Sequence, residues 1–229
     1  MSKTTAMILA AGRGSRMLHM TESLPKPLVK INGKPLIEYQ VERLVAAGIT
    51  DIVVNVAYFA DKIIKTLGFG QRWGISIRYS HEKLGALDTG GGVRQALPWL
   101  SDRFLIINAD VVCDYDLAVL VEKAEKINKL AHLILVANPD HNPNGDYSIE
   151  PDGLISPKKR LPNYTFAGIS LCEKLLFDGV GAGQKISLPS LWQQAIERCQ
   201  VTGELYKLSW CDVGTPERWR RLQNGVKGA

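Results

Sequence analysis

Read as apolar and polar positions, the first half of the chain alternates short unbroken apolar runs with stretches of helical spacing. TAMILA (5–10), DIVVNV (51–56), ISIRY (75–79), FLIINAD (104–110) and AHLILVAN (131–138) are too short for helices and rich in β-branched residues, so they predict strands, the first of them buried. Between them, PLIEYQVERLVAAG (35–48) places Leu36, Ile37, Val41, Leu44 and Val45 on one face, with proline at its start and Gly48 at its end. That is a helix with both punctuation marks. ADKIIKTL (60–67), a segment opening just after Thr89 (GGVRQALPWL), and DYDLAVLVEKAEKIN (114–128), with Asp114 or Asp116 near its start, complete the alternation. Such a rhythm predicts an α/β fold: a single Rossmann-like, doubly wound sheet, mixed but mostly parallel, with helices on both faces.

After Pro139 the rhythm changes. YSIEPDGLIS (147–156) predicts a hairpin turning at Pro151-Asp152-Gly153, and YTFAGISL (164–171) and ELYKLSW (204–210) predict strands. SLPSLWQQAIERC (187–199) and TPERWRRL (215–222) predict helices, the second with Thr215 as N-cap and Pro216 in its first turn. No repeat or long linker divides the chain. One domain over 1–229 is expected, in which 1–138 carries the strand–helix alternation and 139–229 includes a small β region.

Composition narrows the field. Apolar residues make up 45% and charged residues 22%, the balance of an ordinary globular protein. The net charge of +5 is spread along the chain without an aromatic-basic module, so nucleic acid is not an expected partner. The runs PKKR (157–160) and ERWRR (217–221) are read as solvated surface, and Cys113, Cys172, Cys199 and Cys211, which form no CxxC pair, as small buried apolar residues. His132 is placed in the core. No apolar run approaches the ~20 residues a bilayer span requires, and the N-terminal apolar stretch is too short for a secretory signal. A cytoplasmic protein, monomeric or a small homo-oligomer, without membrane attachment, is expected.

Chemistry enters with MILAAGRGSRM, Met7 to Met17, where a strand runs into a small-residue step, two glycines and two arginines. Glycine lets backbone N–H groups approach a ligand closely and arginine meets anionic oxygens two at a time, which together point to a phosphate. A plain tight turn leaves the arginines without a reason. The dinucleotide fingerprint GxGxxG fails because Met17 takes its third position and the segment continues into proline-rich TESLPKPLVKINGKP (21–35) rather than a helix. The P-loop fails as well, for no Gly-Lys-Ser/Thr occurs.

The longer pattern L-A-A-G-x-G-[ST]-R followed by P-K-P-L stands here as Leu9-Ala10-Ala11-Gly12-Arg13-Gly14-Ser15-Arg16 and Pro25-Lys26-Pro27-Leu28. It resembles the sugar-1-phosphate nucleotidyltransferases. GKPLIEY (33–39), NAD (108–110) and WCDVGTPER (210–218) match further landmarks of that family in order. LDTGGG (87–92), NPDHNPNGDYS (138–148) and YTFAGIS (164–170) are similar to the subgroup of uridylyltransferases acting on N-acetylmuramate 1-phosphate. No hexapeptide repeat follows DVGTPER, so the acetyltransferase half of bifunctional relatives is not expected.

The resemblance implies attack of a sugar-1-phosphate oxygen on the α-phosphorus of a nucleoside triphosphate, giving a nucleotide sugar and pyrophosphate. The nucleophile is already an anion, so the demand is for fixed cations, Mg²⁺ and in-line positioning. Arg16 and Lys26 are the expected catalytic cations, Arg16 holding triphosphate oxygens through its fork and Lys26 presenting a point charge near the α-phosphate. Leu9, Ala10, Ala11, Gly12, Gly14 and Ser15 would wrap the nucleotide, with Asp88, Thr89, Gly90 and Asn108 toward the base and ribose. Gly145, Asp146 and Gly168 are the acceptor candidates, and Asp110 and Asp212 the candidates for holding Mg²⁺.

Blander readings stand beside these. An aspartate after a strand also serves as a cap or turn residue, glycines 90–92 also relax a helix entrance, and Gly145-Asp146 also makes a turn before a strand. The chain departs from the family pattern at His19-Met20, where a proline-leucine pair is common, at Asp88 in place of glutamate, and at Ala109 in place of glycine. If glycine serves a left-handed backbone there, Ala109 would be strained. The alternatives kept open are another sugar 1-phosphate with UTP or GTP, a CTP-dependent transfer to phosphocholine, and a catalytically silent nucleotide-sugar-binding regulator.

Overall fold

The computed structural model describes residues 4–82, 87–157 and 162–225. Its strands are β1 (Thr5–Leu9), β2 (Lys30–Ile31), β3 (Lys34–Pro35), β4 (Asp51–Val56), β5 (Ser76–His81), β6 (Arg103–Asn108), β7 (Val111–Cys113), β8 (Ala131–Val136), β9 (Tyr147–Ile149), β10 (Ile155–Pro157), β11 (Thr165–Glu173), β12 (Val201–Tyr206) and β13 (Trp210–Asp212). The α-helices are α1 (Leu36–Ala46), α2 (Ala60–Leu67), α3 (Asp88–Ala96), α4 (Leu117–Lys123), α5 (Leu188–Ile196) and α6 (Pro216–Gln223). Seven strands form the central sheet in the order β12-β8-β11-β6-β1-β4-β5. All its pairings are parallel except those of β11, which runs antiparallel between β6 and β8.

Side-chain alternation explains why the central strands read as unbroken apolar runs. Ala6 and Ile8 of β1, Val54 and Val56 of β4, and Leu105 and Ile107 of β6 belong to a core beneath α1, α2 and α4. Met7, Val53, Phe104 and Ile106, on the opposite face, pack with α3 and α5 around Trp192. Both faces are dry, so no polar positions alternate along these strands. The doubly wound, mostly parallel sheet expected from the pattern is the observed one. β1 lies between β4 and β6, with its crossover helices on opposite faces, and ligands of open α/β sheets bind at the carboxyl ends of such a switch point.

The structure departs from the sequence pattern at several places. FLIINAD stops pairing at Asn108, and Asp110 sits in the turn between β6 and β7. ELYKLSW is not one strand: the ladder with β8 ends at Tyr206 opposite Val136, and the chain crosses to pair β13 antiparallel with β7. α3 begins at Asp88, before Thr89, and α4 ends at Lys123, short of the predicted span. Cys113 and Cys172 are buried as expected, but Cys199 is exposed, in a turn at φ 55°. His132 is buried, with Nδ1 at 2.9 Å from the Thr202 hydroxyl. Ala109 has no positive φ, so the replacement of glycine there carries no backbone strain. The run PKKR falls largely outside the described residues.

Candidate active site

β1 delivers the glycine loop to the switch point, where the Ala10 N–H donates to Asn55 Oδ1 at 2.7 Å. Gly14 adopts φ 69°, and a Cβ there would stand 2.8 Å from Cβ of Lys26. Glycine is therefore required at residue 14 both by its backbone and by its neighbour. Its carbonyl accepts from the Met17 N–H at 2.9 Å and from the Thr21 hydroxyl at 3.0 Å, closing a 3₁₀ turn over Ser15–Thr21 that carries Arg16. Lys26 opens a second short turn between Pro25 and Pro27. Its ammonium pairs with the Asp110 carboxylate, the two side chains being 13% and 24% exposed.

One cavity of about 590 Å³ collects most of the predicted residues. Leu9, Ala10, Ala11, Gly12, Gly14, Ser15, Arg16, Lys26, Asp88, Thr89, Asn108 and Asp110 all line it. Thr89 also anchors α5, its hydroxyl accepting from the Leu188 N–H at 2.8 Å. Gly90 is not on the lining: it is buried against the backbone of Ile186 and Ser187, where a Cβ would come within 2.9 Å of the Ile186 carbonyl. Gly91 and Gly92 are likewise filled in, by the Gln184 carbonyl and the Glu82 carboxylate. This glycine run answers close packing of neighbouring segments.

Asn55, Glu82 and Lys185 line the same cavity and escaped the sequence reading. Asn55 Nδ2 donates to Glu82 Oε1 at 2.7 Å, and Glu82 Oε2 accepts from the Leu87 N–H at 3.3 Å. Asn55 thus ties the glycine loop to the entrance of α3 through two buried polar groups. Its signal was a lone amide inside the apolar run DIVVNV. Asn55→Ala leaves the Ala10 N–H and the Glu82 carboxylate without that partner, and a loss of about 1–3 kcal/mol is expected in chemical denaturation. An unchanged denaturation midpoint would show that water replaces the amide at no cost.

The acceptor candidates lie outside this lining. Gly168 has φ 77°, and a Cβ there would press on Val111 Cγ2 at 2.7 Å and Asn108 Nδ2 at 3.0 Å, so β11 runs directly against a cavity residue. Gly145, at φ 60°, and Asp146 line a second recess of about 640 Å³ walled by Tyr147, Phe166 and Trp192. The Asp146 carboxylate accepts from Asn142 Nδ2 at 3.0 Å and from the Phe166 N–H at 2.9 Å. Each oxygen retains a further lone pair.

Asp212 stands opposite Val111 in the β7–β13 ladder, beside Asp110, whose carbonyl accepts from the Val213 N–H at 2.8 Å. It too lies off the cavity lining. Its Oδ1 is 3.0 Å from Arg218 Nη1 and 3.1 Å from His141 Nε2, while Oδ2 lies 2.9 Å from where a Cβ on Gly214, a lining residue, would be. Arg218 belongs to the run read as solvated surface, yet its side chain is 11% exposed. Burial, with the Asp212 charge next to it, raises the neighbouring Cys211 thiol above its ordinary range and keeps it neutral. Among the described residues no cluster of three or more His, Cys, Asp or Glu forms a self-sufficient metal cage. The hard carboxylates of Asp110, in the β6–β7 turn, and Asp212, on the neighbouring β13, instead fit a cation that completes its shell with phosphate oxygens and water.

Residues 5–227 match the family model described as nucleotidyl transferase. The chain is 41% identical over 222 residues to N-acetylmuramate alpha-1-phosphate uridylyltransferase of Neisseria meningitidis serogroup B, covering 95% of this chain and 96% of the relative. It is 31% identical over 225 residues to the enzyme of the same name from Caulobacter vibrioides, covering 93% and 92%. In fold it is similar to a putative glucose-1-phosphate thymidylyltransferase from Bacillus anthracis, with a TM-score of 0.86 at 22% identity over 98% of this chain and 95% of that one. With a glycine loop, a lysine and an aspartate meeting in one cavity at the switch point, and with similarity running almost end to end, the chain belongs to the nucleotidyl transferase family.

Proposed function

We propose that this enzyme transfers UMP from UTP to N-acetylmuramic acid 1-phosphate, giving UDP-N-acetylmuramic acid and pyrophosphate, in the recycling of cell-wall sugar. The observation that carries the chemistry is the contact of Lys26 with Asp110 inside the cavity lined by the glycine loop. The choice of substrates rests on the two uridylyltransferase relatives. Backbone N–H groups of the loop and the Arg16 fork hold the triphosphate, and Lys26 meets the charge that develops around the α-phosphorus. The acceptor phosphate oxygen is its own nucleophile, so these residues orient it in line and move no proton. Asp110 and Asp212 would hold Mg²⁺, which supplies charge neutralisation between two polyanions when bound. The acceptor sugar would extend past Asn108 and Gly168 toward Gly145 and Asp146. A cytoplasmic setting suits such substrates, and no helix among the described residues is long and apolar enough to cross a membrane.

The test is a panel of UTP, GTP, CTP and dTTP against N-acetylmuramate, N-acetylglucosamine, glucose, mannose and heptose 1-phosphates and phosphocholine, read by pyrophosphate release. UTP with N-acetylmuramate 1-phosphate is expected to give the highest kcat/KM. A higher value for another pair reassigns the substrates. Nucleotide binding with no turnover on any pair in Mg²⁺ overturns the enzyme.

A further inference from the structure

The metal reading of Asp212 leaves unexplained what keeps that carboxylate in place, and the geometry points to Arg218 as a positioning residue that acts through Asp212. The inference rests on the proposed role of Asp212. The Arg218 guanidinium sits 3.0 Å from Asp212 Oδ1, but neither Nε nor Nη1, both buried, finds a hydrogen-bond acceptor of good geometry, and Oδ1 likewise finds no aligned donor. The contact is therefore Coulombic and not a fitted fork. A buried guanidinium left with unused donors is costly unless its charge is needed where it is.

The surroundings hold it there. The Thr215 hydroxyl caps α6 by accepting from the Arg218 N–H at 3.4 Å, fixing where the side chain starts. A Cβ on Gly214 would collide with Arg218 Nη2, so this glycine, which has no positive φ to justify it, is the space the guanidinium occupies. His141 meets the same Oδ1 from the opposite chain segment at 3.1 Å. Arg218 and His141 thus flank one oxygen of Asp212, while the other lies 2.9 Å from where a Cβ on Gly214, itself a lining residue, would be. Arg218 fixes the orientation of a ligand it does not itself resemble, as outer partners of metal carboxylates do.

The experiment measures Mn²⁺ binding by the paramagnetic resonance signal of free Mn²⁺, with the full chain and α,β-methylene UTP. It is paired with kcat and KM as functions of Mg²⁺. Arg218→Met is expected to weaken Mn²⁺ binding roughly 10–100-fold. The Mg²⁺ concentration for half-maximal activity rises by a similar factor, with KM for the sugar phosphate unchanged. Gly214→Ala, which keeps the arginine but not its position, is expected to shift Mn²⁺ binding in the same direction. It also serves if Arg218→Met does not fold. Unchanged Mn²⁺ binding in either variant, with Asp212→Asn impaired, overturns the role of Arg218. Unchanged binding in Asp212→Asn shows that the metal reading of Asp212 has failed, and the inference falls with it.

Discussion

Lys26→Ala is expected to lower kcat by at least ~10²-fold, the scale of losing one preorganised charge at the reacting centre. The reason is local. Flanking prolines and the close Gly14 backbone leave the Lys26 stem little freedom, so its ammonium is placed before substrate arrives. A charge fixed in advance needs no reorganisation as the pentacoordinate transition state is reached, which makes the loss fall on kcat more than on KM for UTP. Lys26→Arg is not expected to restore the rate, because a planar fork on a stem confined beside Gly14 cannot take the position of the ammonium at Asp110. Near-normal single-turnover rates for Lys26→Ala would move the catalytic role to Arg16.

Asp110→Ala should be equally severe, at least ~10²-fold in kcat, for a different reason. The carboxylate has two tasks in the proposed site: it holds the Lys26 ammonium, and it offers oxygen to the divalent cation. Removing it releases Lys26 toward the phosphates, so UTP affinity is expected to hold or tighten while turnover collapses. Asp110→Asn keeps a polar group but not the charge and should lie close to alanine. Isothermal titration with UTP, set against pyrophosphate release over a range of Mg²⁺, separates the two tasks. Loss of UTP binding together with turnover would mean that Asp110 acts mainly on the fold.

The central strands β1, β4, β6 and β8 were legible because they are buried on both faces, which leaves an unmistakable apolar run. Their neighbours were not. Nothing in YTFAGISL states that it will insert antiparallel between β6 and β8, since periodicity records a face and not a partner. The break in ELYKLSW was hidden for the same reason: it depends on where β8 stops and where β7 waits.

The glycine loop, Lys26 and Asp110 were readable because their spacing is long and specific. Asn55, Glu82 and Arg218 were not, each for a physical reason. A single amide in a strand looks like tolerated noise until its two buried partners are known. An arginine in ERWRR looks solvated until the helix turns one side of it toward Asp212. Gly90, expected at the nucleotide, lies off the cavity lining and packs against a segment nearly a hundred positions away in the chain, a contact that no local spacing records.

In the proposed site the β7–β13 ribbon ties completion of the carboxylate pair to the order in which the polypeptide is made. Synthesis runs from the N-terminus, and domains acquire their contacts as the chain emerges. The glycine loop, Lys26 and Asp110 leave the ribosome early, whereas β13 and α6 come last, so a nascent chain can build most of its nucleotide cleft while lacking Asp212 and Arg218. In the proposed site such an intermediate would hold triphosphate without consuming it, and the second carboxylate would arrive only near the end of the chain, with residues 210–223.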